Sequence, residues 1–404
     1  MTSTIAWLDF SEQDRHRMQE AISLFKQRDT RDELGLGSIR DAFADLLFPG
    51  TSTLQTRARY FLFVPWLYQS YERREIPSAA VFGRLRNDEI RLIRALGASG
   101  ESDGVIGQLS GASLQRFPSG IYWNGLRTWG IFRRRWSQVQ YHRALDALYR
   151  QRRGRQKTDD HELVDANLTI TWDDLPSTPA GFPSQANLQL SGEEAAYLQE
   201  QLHLHCPHSL LTLLVDRCAP VDQVPFAWSH PELAEFPPNL REWLLHAQSF
   251  SELLHGATLL YNLLLSELLP NPERVAEYQD AIADWQTRLL DRAGDLARWN
   301  RAAFWKLVEQ NGRIPPATRL FVSSWLDLAL PVPGRPDLAG NGRARALIRD
   351  REFQLKRARS RFENRRQLEV WGGDSGTGQM NYRWPIARRI VNDIIGGLGH
   401  ASSR

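Results

Sequence analysis

The sequence predicts a mainly α-helical protein, built from many helices in two or three subdomains and containing few strands. The first observation is that apolar residues recur about every 3.6 residues through most of the chain, as on one face of a helix. The second is that capping and helix-breaking residues divide this pattern into segments. The third is composition, because 404 residues with 42% hydrophobic and 24% charged side chains are typical of a globular protein with more than one domain.

The N-terminal helical domain is expected over residues 1–152. Five helices are predicted in it from caps, breakers and apolar spacing. They run from Ser11 to about Arg28, over 38–47, from Ser52 or Thr53 onward, over 78–96 and over 119–152. The third of them contains Pro65, which is expected to kink it.

Residues 105–130 are compatible with a helix-turn-helix or winged-helix-like unit. A short apolar segment is followed by a Ser-Gly turn and by a second segment that Ser119 could cap. In such a unit, the second helix would present Tyr122, Asn124 or Arg127 to a groove of DNA. An ordinary helical hairpin has the same pattern, so both interpretations stand at this point.

Two segments rich in turn-forming residues divide the rest of the chain. Residues 153–190 are predicted to be a linker or a small irregular segment, in which NLTITW is the best strand candidate. A central helical domain is expected over 191–330, beginning with a capping-box pattern at Ser191. Residues 331–404 contain a second linker, a basic helix, a Gly-rich loop and a final helix from about Pro385. The helices of the central domain after the first are predicted over 208–217, 239–268, 272–310 with a break near Gly294, and 316–328.

Cysteine content and hydropathy indicate a cytoplasmic protein. The two cysteines, Cys206 and Cys218, are too few for a disulfide framework and fit a reducing compartment. The first residues lack the basic region and apolar run of a secretory signal. The longest apolar run, 253–269, includes His255, Asn262 and Glu267 and is interpreted as a buried core helix. No membrane association is expected.

The segment 49–66, PGTSTLQTRARYFLFVPW, combines hydroxyl residues and arginines with an aromatic helix. The free N–H groups and the positive dipole end of a helix can bind a phosphate. The candidate anion site therefore comprises Thr51, Ser52, Thr53 and Arg57.

An internal ion-pair network is the alternative for this segment, and it is the one we expect. Residues 28–59 contain five acids and five arginines, a set that usually pairs internally. Arg57 is predicted to pair with an acid between Asp29 and Asp45, so that its removal would reduce stability more than binding.

Two segments carry dense positive charge in a chain whose net charge is only +3. Residues 127–157 contain ten basic residues and one acid, and residues 343–366 contain ten basic residues and three acids. Arginine suits bidentate contact with phosphate or carboxylate, so a nucleic acid and an acidic protein surface are equally good partners. The candidate contacts are Arg127, Arg133, Arg134, Arg135, Arg150, Arg152, Arg153, Arg155, Arg343, Arg345, Arg349, Arg357, Arg359, Arg361, Arg365 and Arg366.

Two further motifs resemble chemical sites, but no metal and no cofactor are expected. The motif HLHCPH at 203–208 has metal-ligand residue types, yet they are too close in sequence to converge easily on one tetrahedral ion. The motif GGDSGTG at 372–378 superficially resembles a serine-protease loop. A tight loop packed between helices is the expected structure, because the surrounding sequence is helical. No nucleotide-binding glycine motif occurs here.

Several motifs resemble an uncharacterised bacterial family that is known only as a domain of unknown function. The most extensive is DTRDELGLGSIRDAFADLLFPGTSTLQTRARYFLFVPW at 29–66. IAWLDFS near the start, SGIYWNGLRTWGI at 119–131 and LEVWGGDSGTGQMNYRW near the end are also similar. The resemblance extends over nearly the whole chain and carries no known catalytic or binding residue. It associates the chain with accessory genes near bacterial DNA-processing or phage-defence genes.

Taken together, these patterns predict a non-catalytic nucleic-acid-binding or adaptor component of a bacterial phage-defence or DNA-processing assembly. Its expected partners are nucleic acid and other proteins of that complex. One alternative is a metal-dependent nuclease, for which Asp41, Asp45 and Asp374 are the candidate carboxylates. The other is a protein scaffold that uses its fourteen tryptophans as interface anchors.

Overall fold

The computed structural model describes residues 32–100, 103–155, 171–221, 224–330 and 337–402. Over these residues the chain forms fifteen α-helices and no strand, which confirms the mainly α, multi-helical fold. One isolated antiparallel bridge joins Phe132 to Trp172, at the described end of the NLTITW segment. The helix predicted from Ser11 to Arg28 lies outside the described residues.

Contacts divide the chain into two units that are not consecutive in sequence. The first unit comprises the described part of Met1–Phe43 together with Glu232–Tyr382. The second comprises Ala44–Pro231 together with the described part of Arg383–Arg404. The sequence predicted domain boundaries at 153–190 and 331–341, which would give domains that follow one another along the chain. In the structure, the final helix instead packs with residues 44–231.

The second unit contains seven complete helices in its described part. They are α2 (Tyr60–Arg73), α3 (Ser78–Ala98), α4 (Pro118–Thr128), α5 (Gln138–Arg155), α6 (Gly192–His205), α7 (Leu210–Asp216) and α15 (Trp384–Ser402). Its core includes five aromatic side chains whose neighbouring ring centroids lie 4.6 to 6.0 Å apart. These are Tyr68, Trp123, Phe132, Tyr141 and Trp172. Such pairs stabilise a core beyond their area of burial.

The first unit is built around the long helix α8 (Pro238–Ser266), which is largely buried as the apolar run predicted. The indole N–H groups of Trp285 and Trp325 donate to the backbone oxygens of Glu252 and Leu253 on this helix. Trp285 also lies against Gly256, where a Cβ would meet its ring. The other complete helices are α9 (Pro272–Asp291), α10 (Ala293–Arg298), α11 (Arg301–Asn311), α12 (Pro316–Ala329), α13 (Gly342–Lys356) and α14 (Arg365–Glu369). Helix α1 (Gly37–Leu47) contains the boundary between the units.

Three predicted elements differ from the structure. Helix α2 begins at Tyr60, not at Ser52 or Thr53. The predicted helix over 119–152 is interrupted between α4 and α5, where Gly130 has a φ of 69°. No helix-turn-helix forms over 105–130, because only a short 3-10 helix, Gly111–Ser113, precedes α4. Phe117 and Pro118, not Ser119, occupy the start of that helix.

Membrane-spanning character is not found in the described part of the chain. No helix there combines the length and the hydropathy needed to cross a bilayer.

Candidate nucleic-acid interface

The hydroxyl residues before α2 form a turn that closes on itself. The Thr51 hydroxyl is buried and donates to the backbone oxygen of Phe48 over 2.7 Å. The Ser52 N–H donates to the side chain of Gln55, which in turn donates to the oxygen of Gly50. Because α2 begins several residues later, the helix start on which the candidate anion site at 51–53 depended is absent.

Arg57 forms an internal ion pair, but with a residue far along the chain. Its guanidinium contacts both carboxylate oxygens of Asp393 on α15 at 2.9 to 3.0 Å. The Ala58 N–H donates to the same carboxylate. Burial raises the pKa of Asp393 above its ordinary value, although the Arg57 charge and these hydrogen bonds oppose the shift. An internal pair was expected with an acid between Asp29 and Asp45, whereas the carboxylate that the described structure places on Arg57 is that of Asp393.

Tyr122, which the helix-turn-helix hypothesis placed in a DNA groove, is fully buried against this site. Its hydroxyl accepts hydrogen bonds from the N–H groups of Thr56 and Arg57 and donates to the oxygen of Arg57. It therefore fixes the backbone that presents Arg57 to Asp393.

Arg59 also points inward. Its guanidinium donates to Glu194 at 2.7 Å and to the backbone oxygen of Asn187 at 3.0 Å. Glu194 completes the capping box that Ser191 begins at the start of α6, as the sequence predicted. The arginine therefore joins α2 to the first turn of α6.

Half of the candidate arginines in the segment 127–155 have partners within the second unit. Arg133 pairs with Asp173, Arg152 with the buried Glu72, and Arg153 with Glu75 at 3.5 Å. Arg134 lies over the ring of Trp136. Glu72 also accepts hydrogen bonds from the hydroxyls of Tyr141 and Thr171, so the charge of Arg152 completes a buried polar network.

The remaining described arginines of this segment face solvent. They form no ion pair or side-chain hydrogen bond with any other described residue. Arg143 and Arg150 are seven residues apart on α5, which places them on one face of that helix. The side chain of Arg155 lies outside the described part. The solvent-facing group of the second unit is Arg127, Arg135, Arg143 and Arg150.

The segment 343–366 of the first unit also has an inward-facing set. Lys356 and Arg361 pair with Glu33, Arg361 at 2.9 Å. Burial alone would raise the pKa of Glu33, but Lys356 and Arg361 lower it overall. Arg345 pairs with Glu267, and Arg351 donates to backbone oxygens at Leu34 and Gly35 and to the hydroxyl of Thr318. These contacts join α13 and the residues after it to the residue that follows α8, to α12 and to the residues before α1.

The outward-facing set of this segment lies partly on α13 and partly in the residues that follow it. Arg349 lies over the ring of Phe362, and Arg365 pairs with Glu369. Four others are exposed, and their side chains form no ion pair or hydrogen bond in the described ranges: Arg343, Arg357, Arg359 and Arg366. Arg357 has a φ of 49°, a backbone conformation that favours glycine. An exposed arginine therefore occupies a strained position, and no ion pair or side-chain hydrogen bond with a described residue explains it.

The remaining sequence motifs form ordinary structural contacts. In HLHCPH, His203 pairs with Asp216 and Cys206 is buried. The Gly-rich loop packs on α8, where Asn262 exchanges two hydrogen bonds with the backbone of Ser375. This confirms the expected tight loop between helices.

The carboxylates named for a nuclease each have a contact of another kind. Asp41 pairs with Arg40, Asp45 with Arg383, and Asp374 accepts from the hydroxyl of Thr377. Within the described ranges, no group of three or more His, Cys, Asp or Glu side chains is arranged to hold a metal ion.

Sequence comparison assigns a family to nearly the whole chain. A family model described as "Family of unknown function (DUF6361)" matches residues 2–397. The chain belongs to this family. The match confirms the resemblance to a domain of unknown function, and comparisons with curated proteins and with solved structures gave no match.

The acidic partners of the inward-facing arginines in this DUF6361 protein could not be predicted from local sequence. Asp393 lies 336 residues from Arg57, Glu194 lies 135 from Arg59, and Glu72 lies 80 from Arg152. A single sequence contains no spacing rule for such contacts. Only the capping-box pattern at Ser191 gave a local signal, and it marked Glu194 as a cap without indicating its ion pair.

Proposed function

We propose that this DUF6361 protein is a non-catalytic, nucleic-acid-binding component of a bacterial phage-defence or DNA-processing assembly, and that it binds phosphates through exposed arginines. The assembly part of the proposal rests on the family resemblance. The binding part rests on one observation: each of the two basic segments, 127–157 and 343–366, carries four exposed arginines without an ion-pair partner among the described residues.

The eight arginines are a more selective set than the two basic segments from which they come. An arginine that already pairs with a buried carboxylate would leave that charge uncompensated if it turned toward a phosphate. An exposed guanidinium without a partner can form bidentate contacts with phosphate at no such cost. The arginines proposed to contact phosphate are Arg127, Arg135, Arg143, Arg150, Arg343, Arg357, Arg359 and Arg366.

Salt dependence of binding tests the proposal directly. Each phosphate neutralised on duplex DNA releases counterions, so the log of the affinity falls with the log of the salt concentration by about 0.9 per contact. We expect wild type to bind a labelled duplex and a labelled single strand at low salt, with a steep slope. The triple variant R357A/R359A/R366A should flatten that slope by about one unit for each arginine that contacts phosphate.

A charge-matched control separates local contact from net charge. R94A/R241A/R313A removes three exposed arginines that also have no ion pair with a described residue but lie outside both basic segments. Its slope should stay close to that of wild type. No binding of either probe at low salt, or equal flattening in both triple variants, would exclude phosphate recognition by these arginines.

A further inference from the structure

The second unit contains an open cavity of about 530 Å³, and none of the eight arginines proposed to contact phosphate lines it. It lies between α3, the turn before α2 and the start of α4. Its apolar wall includes Leu54, Phe82 and Phe117. This volume is within the range of pockets that hold small organic ligands and cofactors.

The floor of the cavity is a buried carboxyl group that forms no ion pair with any described residue. Glu89 is 1% exposed, and its two oxygens accept hydrogen bonds from the N–H and the hydroxyl of Ser119 at 2.7 and 3.2 Å. Burial raises the pKa of Glu89 to about 8, although Ser119 opposes the shift. A carboxyl whose pKa is raised in this way can take up a proton near neutral pH and then act as a hydrogen-bond donor.

The rim of the cavity is positively charged. Arg86 and Arg116 line it, and both are exposed. Arg86 lies over the ring of Phe117, with 5.3 Å from its guanidinium carbon to the ring centroid. Arg116 has no ion pair with any described residue. Among the described residues that line the cavity, both charged side chains at the rim are arginines, which favours an anionic ligand.

Polar atoms between rim and floor have unused hydrogen-bonding capacity. The Ser52 hydroxyl lines the cavity and is buried without a hydrogen-bond partner in the described structure. The amide nitrogen of Gln138 donates to Tyr68 within the protein, which leaves the amide oxygen as an acceptor. A buried polar atom without a partner is unfavourable unless a ligand or water satisfies it.

We propose that this cavity binds a nucleotide: a planar heteroaromatic ring that carries a phosphate. The phosphate would contact Arg116 at the rim, and the ring would lie near Phe117 with its polar edge toward Glu89 and Ser52. The same chemistry is present in a free mononucleotide and at the phosphorylated end of a strand. The proposal rests on the cavity and is independent of the exposed arginines proposed above.

Isothermal titration of the full chain at pH 7 tests the ligand class. AMP, GMP, CMP and UMP are titrated separately, with adenosine as base without phosphate and ribose 5-phosphate as phosphate without base. At least one mononucleotide should bind at least about tenfold more tightly than either fragment, since ring and phosphate contacts both contribute. If no mononucleotide binds, a 5′-phosphorylated tetranucleotide that binds where its 5′-hydroxyl form does not would assign the cavity to strand ends. No binding by any of these probes would overturn the proposal.

Two substitutions locate the binding in the cavity. R116A should weaken binding roughly tenfold, because it removes one charge-assisted contact. R94A is the matched control, since Arg94 is exposed on α3 but does not line the cavity. Equal affinities of R116A, R94A and wild type would place the ligand elsewhere and refute the assignment.

The pH dependence of AMP binding tests the role of Glu89. Affinity of wild type should fall as pH rises from 7 to 9, because Glu89 ionises and opposes the phosphate, whereas E89Q should stay flat. The other groups that face Glu89 keep their charge in this window. The pKa values of Tyr60, Tyr68 and Tyr71 are raised, and His142 beside Tyr68 has a lowered pKa. A flat wild-type profile would remove Glu89 from the site, and R116A would still decide the location if E89Q did not fold.

Discussion

The segments 49–66 and 343–366 both place arginines among aromatic or apolar residues, yet their arginines have different fates. In 49–66, Arg57 and Arg59 both turn inward to carboxylates on helices far along the chain. In 343–366, inward-facing cations alternate with four exposed arginines that have no ion pair among the described residues. The comparison shows that local charge density indicates a binding surface only after the cations with buried partners are subtracted.

The largest effect is expected at Arg57, in the inward-facing segment. Arg57→Ala should lower the free energy of unfolding by about 3 kcal/mol, because it leaves the nearly buried Asp393 without its counter-ion. The pKa of Asp393 is already raised and would rise further, so the carboxyl could take up a proton at low pH. The loss should therefore be larger at pH 8 than at pH 5, as measured by urea denaturation.

An unchanged free energy of unfolding together with lost phosphate binding would reverse this interpretation. It would make the segment 49–66 a ligand site after all. Arg127→Ala is the control, because that arginine is exposed and has no partner in the described structure.

A matched pair of substitutions within the segment 343–366 should distinguish an inward-facing arginine from an exposed one by their effects on stability. Arg361→Ala should cost about 2 kcal/mol, since it removes a counter-ion from the buried Glu33. Arg366→Ala should change stability by less than about 0.5 kcal/mol. The lowered pKa of Glu33 stabilises the fold above its unfolded pKa and the effect is lost as pH falls through the folded pKa. Denaturation curves in which both variants lose equal stability would contradict the division.

A substitution at Arg357 should increase stability, in contrast to the substitutions at Arg57 and Arg361. Arg357→Gly should raise the free energy of unfolding by about 1 kcal/mol, because relief of the positive-φ strain exceeds the added freedom of glycine in the unfolded chain. The same change should weaken nucleic-acid binding. Thermal unfolding and a salt titration of one preparation measure both effects, and a destabilised variant would show that the side chain has a structural contact.

The smallest effect on stability is expected on α5. The double variant R143A/R150A should unfold within about 0.5 kcal/mol of wild type, because both side chains face solvent. For duplex DNA, the slope of log affinity against log salt concentration should nevertheless flatten by one to two units if both arginines contact phosphate, at about 0.9 each. Loss of stability without a change in slope would assign these arginines to the fold.

Local sequence signals predicted the helices well where each signal is compatible with only one local structure. The capping box at Ser191 formed as expected, and the apolar run within α8 is a core helix. The hydroxyls at 51–53 misled the prediction because Thr51 bonds backward to Phe48, which closes a turn instead of opening a helix. The hairpin hypothesis at 105–130 failed because the first apolar segment forms turns and Tyr122 is in the core.

The candidate sites were less predictable because pairing depends on tertiary contacts. The composition of 127–157 and 343–366 located the exposed arginines, but it could not separate Arg150 from Arg152 or Arg359 from Arg361. The difference is a carboxylate at Glu72 or at Glu33, distant in sequence. The cavity at Glu89 had no signal, since one glutamate in a helix rich in arginine looks like an ordinary surface pair.

The discontinuous second unit has a consequence for synthesis on the ribosome. Helix α15 supplies Asp393 to Arg57, and its Gly397 packs closely against Ala195 of α6. Residues 44–231 therefore emerge before the helix that completes them, and residues 232–383 are translated in between. At about 5 to 20 residues per second this delay is roughly 8 to 30 s. During that time Arg57 and the surface of α6 lack their contacts with α15. We therefore expect nascent chains of this protein to bind chaperones until α15 has left the exit tunnel.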